Sequence, residues 1–314
     1  MYTEYTLRYA GASMSALALT LVLVAAVIHA TWNLVTKRAG GDLRYVLLLQ
    51  LIAVTLWSPV GLWFAWSEVP RFGLEQWGLI TASGVLHMAY FLALLRGYSR
   101  GDLSVVYPLA RGTGPVITAV LASVWLGEAL GWQGTFGVAA VAVGIVTIAG
   151  GRDTWQRLRS GAGSAEASAR LRQGIGYGLL TGAFIAAYSV VDGYAVKQAG
   201  MSPVSVDYLG NVARLPFTLV LFAFFAPSDG VKLWSYWSER FRPALVVAFL
   251  SPVAYVLVLY AVRLAPLSHV APAREVSTLF AALLGGRLLR EENVVQRVVG
   301  ALCITVGIVA LALS

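Results

Sequence analysis

The sequence is short of charge. Only 12% of its 314 residues are Asp, Glu, Lys or Arg, against about 25% in an ordinary soluble domain. Apolar residues make up 58% of it, and that much apolar surface in water would aggregate. A water-filled setting is therefore excluded and lipid is the natural solvent. Cysteine is nearly absent. The single thiol, Cys303, allows no internal disulfide and no zinc cluster, and it sits in an apolar run where it reads as packing. No HExxH motif, nucleophile elbow or GxxxxGK[ST] loop occurs, so no catalytic residue, metal ligand or cofactor is expected, nor ATP-driven work by this chain alone. The net charge of +8 is scattered through short loops between apolar runs. That is a membrane-protein pattern and not a nucleic-acid-binding patch.

What the chain does have is long apolar runs. A bilayer core about 30 Å thick needs ~20 apolar residues in a helix. Ten such runs occur, near 14–36, 45–66, 76–98, 103–126, 133–150, 174–196, 203–226, 243–262, 267–287 and 294–313. The first is longer than the apolar stretch of a signal peptide and ends in Asn, Thr, Lys and Arg, without a small-residue cleavage site. It reads as a retained helix. The one long hydrophilic connection, 151–173, is rich in Gly, Ser, Ala and Arg and reads as a linker at mid-chain.

The two sides of that linker match. Leu103-Ser104-Val105-Val106-Tyr107-Pro108 corresponds to Leu267-Ser268-His269-Val270-Ala271-Pro272. Arg111 then matches Arg274, and Glu128 matches Glu291. Gly137 and Gly144 match Gly300 and Gly307, and Lys37-Arg38-Ala39-Gly40 matches Lys197-Gln198-Ala199-Gly200. The shared order indicates a duplication. The expected organisation is an N-terminal tail (1–13), a five-helix repeat (14–150), the linker (151–173) and a second five-helix repeat (174–314). An odd number of crossings per repeat makes the second half enter from the opposite side. The expected fold is thus an all-α integral membrane protein, ten transmembrane helices in two inverted five-helix repeats around a central cavity.

Loop charge sets the orientation. The linker side carries 16 Lys and Arg, the side of the termini carries 4, and Arg111, Arg214 and Arg274 lie inside helices. The linker is expected in the cytoplasm and both termini outside.

Ionisable groups at bilayer depth cost at least ~2.5–3.5 kcal/mol each, so each needs a partner, a wet cavity or a role. The seventh run carries Asp207, Asn211 and Arg214 on one face, as either a packing network or part of a site. Pro108 and Pro272 free the carbonyls of Ser104 and Ser268. Such interruptions at corresponding places in two halves point to a transport site. Arg111 and Arg274 follow within a turn. They would hold an anionic group or pair with acids, and an anionic substrate becomes the stronger inference if neither meets an acid. Glu275 adjoins Arg274 but points ~100° away around the helix. The first run carries His29, Trp32, Asn33 and Thr36, the third His87, Tyr90 and Tyr98, the sixth Tyr188 and Asp192, and the eighth Ser251 and Tyr255. These would either line a cavity or serve as interfacial aromatics and interhelical hydrogen bonds. The candidate substrate-binding set is Arg111, Arg214, Arg274, Tyr107, Tyr90, Trp32, Asn33, Asn211 and Tyr255. The candidate proton carriers are Asp192, His29 and Glu275. The glycine pairs mark the fifth and tenth runs as a scaffold or dimer-facing pair.

Together these residues resemble the drug/metabolite transporter superfamily, specifically the EamA-type ten-helix carriers. The stretches that carry the resemblance are HATWNLVTKRAG, LSVVYPLARGTGPV, WLGE at Trp125 to Glu128, LSHVAPAR and LLREE, and it covers about 14–313. The resemblance implies a basket of helices 1, 3, 4, 6, 8 and 9, with part of 2 and 7, around a central cavity, and helices 5 and 10 at the periphery. It also implies alternating-access export of amino acids or other metabolites, often by proton or substrate antiport, from a bacterial inner membrane. Many ten-helix relatives are described with both termini in the cytoplasm, which the loop charges here reverse. The expected activity is secondary export of a small polar metabolite, such as an amino acid or organic anion. A lipid-linked sugar flippase is the alternative, and a membrane-embedded enzyme the remote one. The expected partners are a small-molecule substrate and the lipid bilayer, with the chain a monomer or homodimer.

Overall fold

The computed structural model describes residues 14–40, 42–101, 103–148, 165–227, 229–277 and 294–314. Over these residues the chain forms ten α-helices: α1 (Ala16–Ala39), α2 (Leu43–Glu68), α3 (Leu74–Arg100), α4 (Leu103–Trp125), α5 (Trp132–Ile148), α6 (Ala165–Lys197), α7 (Pro203–Phe225), α8 (Leu233–Leu264), α9 (Leu267–Ala273) and α10 (Val294–Leu313). Seven of them, α1–α4 and α6–α8, contain a stretch long and apolar enough to cross a bilayer, and α5 and α10 are shorter apolar helices. In lipid every backbone N–H and C=O must be satisfied within the protein, and helices do this within the segment.

Polar side chains mark several starts. Ser15 caps α1 by accepting the Ala18 N–H at 3.2 Å, and Asp42 caps α2 through the Arg44 N–H at 2.8 Å. Ser202 caps α7 ahead of Pro203, where a missing N–H costs nothing. Exposed tryptophans sit near the ends of α2, α4 and α5, as Trp63, Trp66, Trp125 and Trp132 do, which is where indole rings settle at a membrane interface.

Three elements differ from the sequence expectation. Helix α6 starts at Ala165, inside the expected linker, because Ala-Glu-Ala-Ser-Ala-Arg-Leu-Arg is a run of strong helix formers that hydropathy ignores. Helix α8 starts at Leu233, well before 243, and its charged first turns carry on through Pro243. The expected break at Pro108 does not occur: α4 is continuous from Leu103 to Trp125. Pro108 and Pro272 each lie five residues from the start of their helices, so distance from the helix start does not separate the two. In the second half α9 ends at Ala273, one residue after Pro272, and the chain turns at Arg274. The remainder of the expected ninth span, 278–287, lies outside the described residues, as do Glu291 and the LLREE stretch.

The packing has two-fold character. Helix α1 lies against α8, and α6 against α3. Helix α2 packs on α7, α2 also meets α8, and α3 meets α7. Helix α4 packs on α6, and α9 reaches α1. Exchanging each helix for its counterpart five places on returns the same set of contacts, with α2–α7 mapping onto itself. The α5–α10 pair fixes the sense of the axis. A Cβ added to Gly137 would lie 2.7 Å from the Gly307 carbonyl oxygen, and one added to Gly144 would lie 2.6 Å from that of Gly300. Numbering rises along one helix as it falls along the other, so the two are antiparallel. Since the repeat matches Gly137 to Gly300 and Gly144 to Gly307, the two contacts are images of one another. The halves are inverted. Both glycine faces are consumed inside the chain, so α5 and α10 are the scaffold pair, and these faces are not free to meet a second copy.

At the linker end, Arg44 ties the α1–α2 and α7–α8 connections. It pairs with Asp42 at 2.6 Å and Asp229 at 2.8 Å, and its guanidinium lies 4.2 Å above the Tyr236 ring. Hydrogen bonding from Arg44, then from the Val231 N–H, holds the Asp229 carboxyl below its ordinary range. A carboxylate lowered in this way adds stability above its unfolded titration, and that contribution fades as pH falls through the lowered one. The pair is partly exposed, so the contribution is small.

Candidate functional site

The centre of the bundle is polar, and both halves build it. On α3, Ser83 and His87 stand one turn apart, and His87 Nδ1 lies 2.9 Å from the Ser83 carbonyl oxygen. The His87 ring stacks on Tyr188 of α6 at 3.9 Å between centroids and meets Tyr255 of α8 edge-on at 5.8 Å. Tyr90 of α3 packs edge-on against Tyr188, also at 5.8 Å. The Tyr255 hydroxyl donates a short hydrogen bond to Asp192 Oδ2 on α6, and Asp192 is buried. The aromatic rings of both halves thus surround one carboxylate.

Three buried polar atoms here have no hydrogen-bond partner among the described residues: Ser189 Oγ, Asp192 Oδ1 and Arg274 Nε. Ser189 and Asp192 are three residues apart, on one face of α6. Ser189, Tyr255 and Arg274 also line a small cavity between α6, α8 and α9, whose apolar wall includes Val258, Leu267 and Val270. A buried polar atom without a partner costs about 1–3 kcal/mol. A hydroxyl and a guanidinium N–H left unsatisfied on residues that line one cavity, with a carboxylate one turn away, are what a site for a polar ligand leaves open.

The second matched arginine is already engaged. Arg111 of α4 approaches Glu275 Oε2 at 3.0 Å through Nε, close enough for an ion pair although the N–H is not aligned as a hydrogen bond. Its Nη2 reaches Ser277 Oγ at 3.2 Å and His29 Nε2 at 3.4 Å. The condition that neither arginine meets an acid is therefore not fulfilled for Arg111. Glu275 points away from Arg274 around the chain, as its neighbouring position dictates, and so finds the arginine of the other half.

On α7, Asn211 donates to Asp207 Oδ2 at 3.2 Å, and its own carbonyl accepts from Gln50 at 2.6 Å. Arg214 donates from Nε to the Gly210 carbonyl one turn back, at 3.2 Å. Its charge is near enough to act on His87, Asp192 and Asp207. Trp32 of α1 packs edge-on against His29 at 4.7 Å, with its indole Nε1 buried and without a partner among the described residues. Tyr107 lies one turn before Arg111 on α4. The Asn33 amide donates to the His29 carbonyl of its own helix at 2.8 Å.

Sequence reasoning did not single out Ser189, Ser277 or the Glu128–Lys197 pair. Glu128 and Lys197 are buried and 2.7 Å apart. Both stood in the repeat match, but nothing in a one-dimensional match says that a residue of one half reaches a residue of the other.

The basket of α1, α3, α4, α6, α8 and α9 around these groups, closed by an α5–α10 scaffold, is accompanied by a sequence match over both halves. The profile of the EamA-like transporter family matches residues 16–150 and 172–313. The chain belongs to the EamA-like transporter family. It is also 32% identical over 107 residues, 34% of this chain and 72% of the other, to an uncharacterized transporter in the cobO 3′ region of a Sinorhizobium species. A solved crystal structure of a protein, 16% identical, superposes over 93% of this chain and 95% of its own with a TM-score of 0.67. At that identity the likeness concerns the fold alone. As an EamA-like transporter, the chain is a multi-pass membrane protein that works on a small-molecule substrate in a lipid bilayer.

Proposed function

We propose that this EamA-like transporter is a secondary exporter of a small polar metabolite bearing a carboxylate, such as an amino acid or organic acid, and works by alternating access. One observation carries the reading: Ser189 Oγ and Arg274 Nε, buried and unsatisfied among the described residues, belong to residues that line a single cavity, with the Asp192 carboxylate one turn along α6 from Ser189. Arg274 supplies a donor for the anionic group, and Ser189 and Asp192 supply groups for a polar substituent beside it. Tyr188, His87, Tyr255 and Tyr90 frame the body. Arg111, held by Glu275, positions α9 across the interface between halves. Rocking one half against the other would expose the site to alternate sides. The loop-charge bias supports a cytoplasmic linker and external termini, and the domains are taken as two five-helix units joined at 151–173. Asp192, already bonded to Tyr255, is the proton carrier best placed to exchange with substrate, ahead of His29 and Glu275, which are held by Arg111.

Flux into proteoliposomes, measured with pooled labelled amino acids, organic acids and amines, tests this. Saturable flux of a carboxylate-bearing compound is expected. Arg274→Ala should reduce it at least about thirtyfold at low substrate, the effect of removing a buried charged partner worth ~2 kcal/mol or more. Movement of amines alone, or flux indifferent to Arg274→Ala, would reject the reading.

A further inference from the structure

Glu128 makes a dense polar junction between the two halves. It sits in the α4–α5 connection of the first half and is buried. Its Oε1 accepts from Lys197 Nζ at 2.7 Å and from the Leu267 N–H at 2.8 Å, and its Oε2 accepts from the Ser268 N–H at 2.8 Å. Lys197 ends α6, and Leu267 and Ser268 begin α9, so every donor belongs to the second half. The ion pair is about as dry as the core, with both side chains 1% exposed. By connectivity the α4–α5, α6–α7 and α8–α9 corners share one end of the bundle, the end of the chain termini.

We propose that Glu128 is a latch that holds this end of the transporter closed, and that its release from Lys197, Leu267 and Ser268 opens the central site to that side. The inference rests on the transporter reading above. A buried, fully bonded pair is stable, and so is a separated pair in water. A separated pair still buried is strongly unfavourable. The junction therefore has two favoured arrangements, which is the property of a gate and not of a continuously yielding contact. It is also connected to the site. Leu267, anchored by its N–H on Glu128, lines the cavity with Val270 and Arg274. Moving the start of α9 moves a wall of the cavity. Glu128 is thus a positioning residue that acts through α9, and not a group that meets substrate.

Accessibility at the two ends tests the latch without any substrate. In a Cys303→Ser background, one reporter is Met201→Cys, in the α6–α7 connection, and the other is Leu48→Cys, near the start of α2 at the opposite end. Both native side chains are buried. Purified protein in lipid nanodiscs is treated with a membrane-impermeant maleimide. Glu128→Gln is expected to raise the labelling rate at 201 at least about tenfold, a conservative reading of what breaking a buried pair releases, and to leave unchanged or lower the rate at 48. Lys197→Met should do the same. If Glu128→Gln does not yield monodisperse protein, the two rates on Lys197→Met decide. No rise at 201 overturns the proposal, and so does a joint rise at both ends, which is what general loosening gives. One-ended opening supports the latch even if no flux is found, and Arg274-dependent flux with a silent 201 reporter removes the latch alone.

Discussion

Glu275→Ala is expected to lower the stability of the protein by about 3–5 kcal/mol, the usual consequence of leaving one member of a buried ion pair without the other. Arg111 keeps its charge at pH values where proteins fold, and its other contacts, Ser277 Oγ at 3.2 Å and His29 Nε2 at 3.4 Å, are neutral or weak. The carboxylate removed is itself buried, so water cannot replace it without opening the core. Because the pair joins α4 of the first half to the turn after α9 of the second, the damage falls on the interface between halves. Arg111→Met combined with Glu275→Met should recover much of the loss, since no isolated charge is then buried. Thermal unfolding of the purified single and double variants measures this. A double variant no more stable than Glu275→Ala would mean that the pair is not coupled as described.

Gly144→Leu is expected to abolish a stable fold in the membrane. A Cβ at this position would already lie 2.6 Å from the Gly300 carbonyl oxygen, 2.7 Å from Ile304 Cγ1 and 2.9 Å from the Ile304 N. Two of these atoms are backbone, so no rotamer change relieves the overlap and α5 and α10 must part. Close approach at small residues is what holds helices together where lipid removes the hydrophobic drive between them. Even Gly144→Ala should cost about 1–3 kcal/mol by overpacking. Gly78 is the control. It lies within α3 with nothing within 4 Å of an added Cβ, so Gly78→Ala should be neutral or stabilise by about 0.5–1 kcal/mol. Yield of monodisperse protein and its thermal midpoint distinguish the two positions, and equal behaviour would remove the scaffold role of the glycine faces.

Much of this architecture could be read from the chain. The apolar runs had to become helices because lipid leaves the backbone few other choices. The ordered match of Pro108–Arg111 with Pro272–Arg274 located the elements that supply Arg111 and Arg274 to the core. What could not be read was pairing. Arg111 and Glu275 come from different halves, as do Glu128 and Lys197, and only the fold brings them within 3.0 Å and 2.7 Å. Proline placement did not decide the breaks: Pro108 and Pro272 each lie five residues into their helices, yet α4 continues to Trp125 while α9 ends at Ala273. Asn33 shares a helix face with His29, and its amide N–H bonds back to the His29 carbonyl. Local bonding of that kind competes with outward recognition and leaves no trace in spacing.

The claim on which the account turns is that Arg274, with Ser189 and Asp192, forms an open site for a carboxylate. The most direct measurement is the thermal midpoint of purified protein against a panel of carboxylates, with wild type and Arg274→Ala run side by side. A ligand that binds only the folded state at 100 times its dissociation constant stabilises by about 2.7 kcal/mol. At least one carboxylate is expected to raise the wild-type midpoint and leave Arg274→Ala unmoved. A carboxylate that stabilises both proteins equally, or a panel that stabilises neither, would contradict it.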